Sequence, residues 1–569
     1  MQVFKNEVIN LVEQITGLKK EKIIVLLEHP SDPSFGDLSL PCFSLTTIYK
    51  KNPADIAKSL MSDAIVLKKS TIRRIDAKGP YLNFFINYNE FAQLILKTIL
   101  REKQHYGRLK GKEEKIMIEY SSPNTNKPLH IGHLRNDSLG MSLSNILGFS
   151  NRKVIRTAVI NDRGVHICKS MLAYKKWGNN KTPQSTNTKS DHFVGSFYVL
   201  FEQKLKENPN LEREIHDMLN KWENNDRGTR ELWKKMNTWV LAGMKKTYAL
   251  YGSKFDFWTF ESNIYDKAKE IVNEGIKKNI FSKNEKGDYI VDLEPELPNK
   301  VVLRSDGTSV YITQDIALAE LRFKKYKIKR LIYVVASEQV LHFKQLFRIL
   351  SLLGYDYCKD CYHLSYGLVN LPTGRMKTRE GTVVDADDLI EQEIELAKKE
   401  ILQRNKNIKK KELEENSLKI ALSAIKYYLL KTDPIKDILF DSEKAIRFEG
   451  DTGPYVLYTI ARCNSLLEKT KESKERFLSI EINDEESQII KKLSLFQDIL
   501  EKATTDLKPS YICVYTSELA TLFNNFYEKH RVIDIENNTK GFRIAIVKST
   551  KQVLEICLHL LNIQSVKHM

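Results

Sequence analysis

Residues 118–140 read IEYSSPNTNKPLHIGHLRNDSLG. A short apolar run, read as a strand, passes through Ser, Pro and Asn into a helical pattern, and His130 and His133 stand three apart where that pattern begins. A strand, a tight loop with Pro123 and a helix opening between Pro128 and Ile131 point a helix N-terminus at the carboxyl edge of a parallel sheet. Unpaired N–H groups and the helix dipole attract phosphate at such a place. Gly132 leaves room for a planar ring or a phosphate to approach the backbone. At i and i+3, His130 and His133 fall on one side of the first turn and can donate to triphosphate oxygens. Taken alone, the pair is also open to being metal ligands, an acid/base pair or plain helix caps. Metal binding would need further ligands, and the HExxH spacing of zinc proteases is absent.

Around this stretch, strand-like runs alternate with helical ones: KIMIEY from Lys115, KVIRTAVI, RLIYVVAS and YHLSYGLVNL. That alternation predicts a Rossmann-like parallel α/β domain over 106–390. Residues 165–300 break the rhythm and read as an insertion, with Leu232, Met236, Trp239, Val240 and Met244 on one helical face. Residues 1–105 combine a helical pattern with IRRIDAKGPYLNFFINY, two strands about a Gly79-Pro80 turn, and predict a small α+β domain. After residue 390 the chain reads as helical, a connecting region at 391–440 and an all-α domain at 441–569.

Composition agrees with a multidomain globular protein: 569 residues, 42% hydrophobic, 29% charged. The balance of 90 Lys+Arg against 73 Asp+Glu, a net charge of +17, favours a polyanionic partner such as nucleic acid. Seven cysteines, mostly in apolar contexts, read as reduced thiols of a cytoplasmic protein. Cys358 and Cys361 spell CxxC, but no second pair follows, so no structural zinc or other bound metal is expected. The first twenty residues carry acids and no apolar core, which excludes a signal peptide there, and no apolar window suggests a membrane span.

His130-Ile131-Gly132-His133 is the HIGH motif of class I aminoacyl-tRNA synthetases, and the longer string from Glu119 to Arg135 resembles the arginyl-tRNA synthetase family in particular. That resemblance demands a second ATP loop after a late strand, and GRMKTREGTVVDADDL at 374–388 is similar to the family's version of it. Arg375, Met376, Lys377 and Arg379 fall in this loop, with Thr378 at the place of the usual second lysine. The resemblance implies that Lys127 replaces part of that lost charge, and leaves open which cation meets which phosphate. Further similar blocks run to the C-terminus, so the likeness covers nearly the whole chain.

The family likeness implies an arginine–tRNA ligase that uses ATP with Mg²⁺, L-arginine and tRNA(Arg), mostly as a monomer. An arginine pocket needs carboxylates in fixed geometry around a planar cation with five donors. Tyr311 and Asp315, at i and i+4, share a helical face. By resemblance Glu119, Tyr311 and Asp315 hold the guanidinium, while Ser122, Asn124 and Gln339 hold the α-amino and carboxylate groups. The activation step needs no general base, because the arginine carboxylate is already a nucleophile. The C-terminal domain mixes Tyr, Arg and Lys as single-stranded anticodon bases require, with Tyr455, Tyr458 and Arg462 as candidates and Met569 matching a packed family ending. Phe91 and Gln93 are the candidates for the tRNA elbow. The rival readings are a synthetase for another amino acid, which leaves Glu119 and Asp315 unexplained, and a non-catalytic tRNA-binding paralogue, which intact motifs disfavour.

Overall fold

In β1 (Glu114–Glu119), Ile116 and Ile118 pack into one large core while Met117 packs into another. Alternate side chains of a strand point to opposite faces, so β1 is covered on both sides, as the middle of a parallel sheet must be. The computed structural model describes the chain except residues 31, 68–70, 112, 306–309, 373–383 and 471–480. From β1 the chain passes through helix α1 (Ile131–Phe149) into β2 (Arg152–Ile160), which pairs parallel with β1. Two helices of the insertion, α2 (Ser190–Glu207) and α3 (Arg227–Tyr251), precede β3 (Phe257–Phe260), which pairs parallel with β2. Helix α4 (Tyr311–Tyr326) leads to β4 (Arg330–Ala336), and β5 (Cys361–Tyr366) completes the sheet. The order is β5-β4-β1-β2-β3, all parallel, with carboxyl ends along one edge.

Strand β3 divides the stretch that the sequence suggests as one insertion. Its sequence, FWTF, is short and aromatic, and is half-buried at the sheet margin, so it lacks the long apolar signature of the inner strands. The helices between 165 and 251 form one part, and residues beyond β3 form a small three-stranded antiparallel sheet, Phe281–Lys283, Tyr289–Val291 and Lys300–Leu303.

The N-terminal part is α+β, with an antiparallel sheet of Leu38–Pro41, Tyr81–Ile86 and Ile72–Lys78. After the parallel sheet come α5 (Ala386–Arg404), α6 (Lys410–Leu430) and a helical domain that ends in α7 (Asn537–Leu560). That domain docks on the far end of α1: Ser142 Oγ donates to Leu560 O at 2.9 Å and Asn145 Nδ2 to His559 O at 2.8 Å. Among the described residues no helix is long and apolar enough to cross a membrane.

Arg135, on the second turn of α1, is fully buried, and its guanidinium donates to the carbonyls of Gly367, Leu368, Pro434 and Lys436. Burial lowers its pKa to about 10, so it remains charged at neutral pH. Four acceptors from two loops converge on this one side chain; Pro434 O also takes the Gly367 N–H at 2.9 Å and Leu368 O the Ile438 N–H at 2.8 Å, which leaves Gly367 O and Lys436 O to Arg135. Arg135→Met should therefore cost roughly 3–5 kcal/mol, since each buried acceptor left unpaired costs about 1–3 kcal/mol. Urea unfolding checks this as a lower midpoint at unchanged m-value.

Candidate active site

The loop from β1 to α1 leaves the sheet through two successive left-handed residues, Ser121 at φ 72° and Ser122 at φ 47°. Non-glycine residues resist this conformation, so neighbours must hold it. Ser121 N–H donates to Asn136 Oδ1 at 2.7 Å, and the Ser121 and Tyr248 hydroxyls lie 2.7 Å apart. Ser122 Oγ accepts from Val159 N–H at 3.1 Å and Asn161 Nδ2 donates to Ser122 O at 3.1 Å. Asn136 also donates to Val334 O at 2.9 Å and to the Tyr366 hydroxyl at 3.0 Å, tying the ends of β1, β4 and β5 to α1.

His130 is the N-cap of α1, and the two histidines cap each other's turn. Gly132 N–H donates to His130 Nδ1 at 3.1 Å, and His130 N–H donates to His133 Nδ1 at 3.1 Å. Their rings lie 3.9 Å apart between centroids. Since each Nδ1 accepts, each neutral ring carries its proton on Nε2. Burial, aided by the charge of Lys127, lowers the His130 pKa to about 3. Burial, then His130 and Lys127, holds His133 well below the usual histidine range. Both are therefore neutral donors at physiological pH. Gly132 has a different reason from the one its spacing suggests: a Cβ there would sit 2.9 Å from His130 Cε1, so the ring that approaches the backbone is the capping imidazole.

These residues line a cavity of 410 Å³ with Ser121, Ser122, Asn136, the end of β4, Glu338 and Tyr366. His130 also lines a neighbouring cavity of 220 Å³, and Lys127 faces that second one, with its pKa lowered by burial. Arg375, Met376, Lys377 and Arg379 lie outside the described residues.

Glu119 stands at the end of β1, beside the loop. Its carboxylate pairs with the fully buried Arg322 and takes the Ser122 hydroxyl at 3.4 Å, so its charge is already committed within the protein. The carboxylate that remains is Glu261, the first residue after β3, which is buried and has no hydrogen-bond partner for Oε2 among the described residues. Burial, opposed by Arg163 and Gln314 and assisted by Asp162 and Asp315, pushes its pKa up to about 7. Tyr311, 59% exposed at the start of α4, lies within electrostatic reach of Glu261 and Asp315. Asp315 Oδ2 is 2.7 Å from His342 Nε2. Asn124 bridges to Asn161 beside the loop, and Gln339 is exposed at the end of the turn after β4.

A family model described as tRNA synthetases class I (R), catalytic domain, matches residues 95–442, and an arginyl tRNA synthetase N terminal domain model matches 2–86. The chain belongs to the arginyl-tRNA synthetase family. A DALR anticodon binding domain model matches residues 456–569. The arginine–tRNA ligase of Treponema denticola is 43% identical over 558 residues, which cover 94% of this chain and 93% of that protein. That of Borreliella afzelii is 42% identical over 563 residues, 96% of this chain and 95% of that protein. In fold, the chain is similar to Thermus thermophilus arginyl-tRNA synthetase, with a TM-score of 0.82 at 24% identity over 98% of this chain and 99% of that one.

Of the proposed tRNA contacts, Phe91 is corrected: it is fully buried in the main core and cannot meet a base. Gln93 is half-buried and accepts from Lys97 at 3.2 Å. On that domain, strand register puts Arg74, Lys78, Tyr81 and Phe85 on the face opposite Leu82, Phe84 and Ile86. Arg74 lies over the Phe85 ring at 3.9 Å, Lys78 over Phe35 at 4.0 Å, and the 53% exposed Phe43 meets Tyr81 edge-on at 5.7 Å. At the other end Arg462 stacks on Tyr458 at 4.6 Å and on Tyr527 at 5.0 Å. Tyr455 and Met569 are half-buried against the main core.

Gly132→Ala should displace the His130 ring and cost about 1 kcal/mol of cap energy. Arginine-dependent ATP–pyrophosphate exchange, measured with tRNA present, should then fall while KM for arginine stays unchanged.

Proposed function

We propose that the chain, an arginine–tRNA ligase of class I, divides its two substrates between the two sides of the β1–α1 loop. MgATP lies along the start of α1, its triphosphate passing from the 410 Å³ cavity past His130 towards Lys127. Arginine lies beyond the ends of β1, β2 and β3, its guanidinium between Glu261, Asp315 and Tyr311. The observation that carries this placement is the buried, unpartnered Oε2 of Glu261 beside Asp315 and Tyr311. A substrate guanidinium supplies a donor to that oxygen.

The arginine carboxylate attacks the α-phosphorus, and the bond to pyrophosphate breaks. The Nε2–H groups of His130 and His133 face the growing negative charge as fixed donors, which need no reorganisation at the moment of reaction. A ribose hydroxyl of the tRNA 3′ end then attacks the acyl carbon and AMP leaves. Neither step takes a proton from the histidines. Magnesium travels with the nucleotide, because the lining of the larger cavity offers a single carboxylate, Glu338. The anticodon meets the Tyr458–Arg462–Tyr527 cluster, and the aromatic and basic face of the N-terminal domain meets the tRNA elbow. The enzyme works as a monomer in the cytoplasm.

Below about pH 7 the Glu261 carboxyl holds a proton that the substrate cation must displace. KM for arginine should thus rise on acidification, by up to about tenfold per pH unit, and level off above that pH. Glu261→Gln should raise KM roughly 100-fold and flatten this dependence. A pH profile of KM in both proteins checks it; an unchanged KM in the variant would remove Glu261 from the pocket.

A further inference from the structure

The main chain around His130 is held from one side by residues 384–386. Ile131 N–H donates to Val384 O at 3.2 Å, Ala386 N–H donates to Leu129 O at 3.0 Å, and His130 and Asp385 form an antiparallel bridge. This short strap is the entry to α5: Asp385 caps the helix, accepting from Asp387 N–H at 2.8 Å, and the buried Ala386 is its first residue. Its next residue, Asp387, is gripped by the helical insertion. Lys189 Nζ donates to Asp387 Oδ2, His192 Nε2 lies 3.0 Å from the same oxygen, and the Thr247 hydroxyl donates to Asp387 Oδ1 at 2.9 Å. Lys189 also bonds to Asp191 at 3.1 Å and to Thr247 at 2.6 Å, while His192 reaches Asp385 at 3.5 Å.

The clamp is built tightly. Asp191 is fully buried against α3, where a Cβ on Gly243 would fall 2.2 Å from Asp191 Oδ1. Only glycine lets α3 come this close. The ligand atoms of Asp191, His192 and Asp387 lie within 4.8 Å of one another, as in a metal site. The Lys189 ammonium already contacts both carboxylates, so the positive charge of this cluster comes from the chain itself.

We propose that Lys189, together with His192 and Thr247, is a positioning group for the activation step: by clamping Asp387, the insertion holds the 384–386 strap against Leu129–Ile131 and so sets where His130 stands. Lys189 and Thr247 act without touching substrate, whereas His192 also lines the 220 Å³ cavity beside Lys127. The inference rests on the reading of His130 as a donor to the nucleotide phosphates. It implies that whatever moves the insertion, such as an arriving tRNA acceptor end, alters the geometry at the ATP phosphates before it alters the arginine pocket, which is built from β3 and α4.

The test is arginine-dependent ATP–pyrophosphate exchange with tRNA present, comparing Lys189→Met, Thr247→Val and Asp387→Asn with His130→Ala. Lys176→Met serves as a control; it removes another insertion ion pair, to Glu214 at 2.7 Å, that touches neither strap nor site. Misplacing a catalytic donor by about 1 Å costs up to about 100-fold. Lys189→Met and Thr247→Val should therefore lower kcat roughly 10-fold or more with KM for arginine unchanged. Lys189→Met combined with Asp387→Asn should lose no more than the worse single variant. Thr247→Val removes one hydroxyl with little change in shape, so it reports even if Lys189→Met folds poorly. Full kcat in Thr247→Val and Lys189→Met beside an impaired His130→Ala overturns the clamp. Full kcat in His130→Ala overturns the phosphate reading and the clamp with it.

Discussion

Two backbone N–H groups at the start of α1 donate to two imidazole nitrogens, and the geometry of the site descends from that exchange. A helix N-terminus leaves its first N–H groups without partners, and side chains that fill this need are usually carboxylates, amides or hydroxyls. Here neutral imidazoles do so. A carboxylate cap would place negative charge where phosphate must bind, whereas each capping histidine keeps its one N–H, on Nε2, to donate outward. Burial keeps both rings neutral, so helix dipole and ring donors present the same polarity to the nucleotide. In the proposed arrangement the substrate side chain is met elsewhere, by Glu261 after β3 and by Asp315 and Tyr311 on α4.

Helix α1 carries that arrangement into the rest of the molecule. One turn beyond the cap, Arg135 gathers four carbonyls from the segments after β5 and before the helical domain. Further along, Asp137 and Lys426 are buried and electrostatically coupled, and Lys426 donates to Asn562 O at 2.7 Å just past α7. The last turns of α1 receive the end of α7 itself. A single helix thus has the proposed ATP site at one end and the domain matched by the anticodon-binding model at the other.

Much of this was legible in the sequence, and the rest was not for identifiable reasons. HIGH and the residues before it gave the strand, the loop, the helix start and the family, because strand–loop–helix patterning and phosphate chemistry are local. Glu261, the carboxylate proposed here for arginine, carried no signal because it follows a four-residue aromatic strand that resembles the insertion around it. Glu119 looked available because its partner, Arg322, is 203 positions away and only the folded sheet brings them together. Phe91 falls on an amphipathic helix among Ala92, Ile95 and Leu96, and that periodicity already marks a core position. Asn136 had no signal beyond its place in the motif, yet it braces three strand ends. The strained Ser121–Ser122 turn likewise carries no glycine to announce it.

The central claim is that the two motif histidines are neutral caps that donate through Nε2. Nitrogen-15 NMR of the histidine rings, assigned with His130→Gln and His133→Gln variants and followed between about pH 5 and about pH 8, tests it most directly. The account predicts that both rings stay neutral across that range, with the proton on Nε2 and Nδ1 hydrogen-bonded. Titration of either ring near pH 6.5, or a proton on Nδ1, would contradict it.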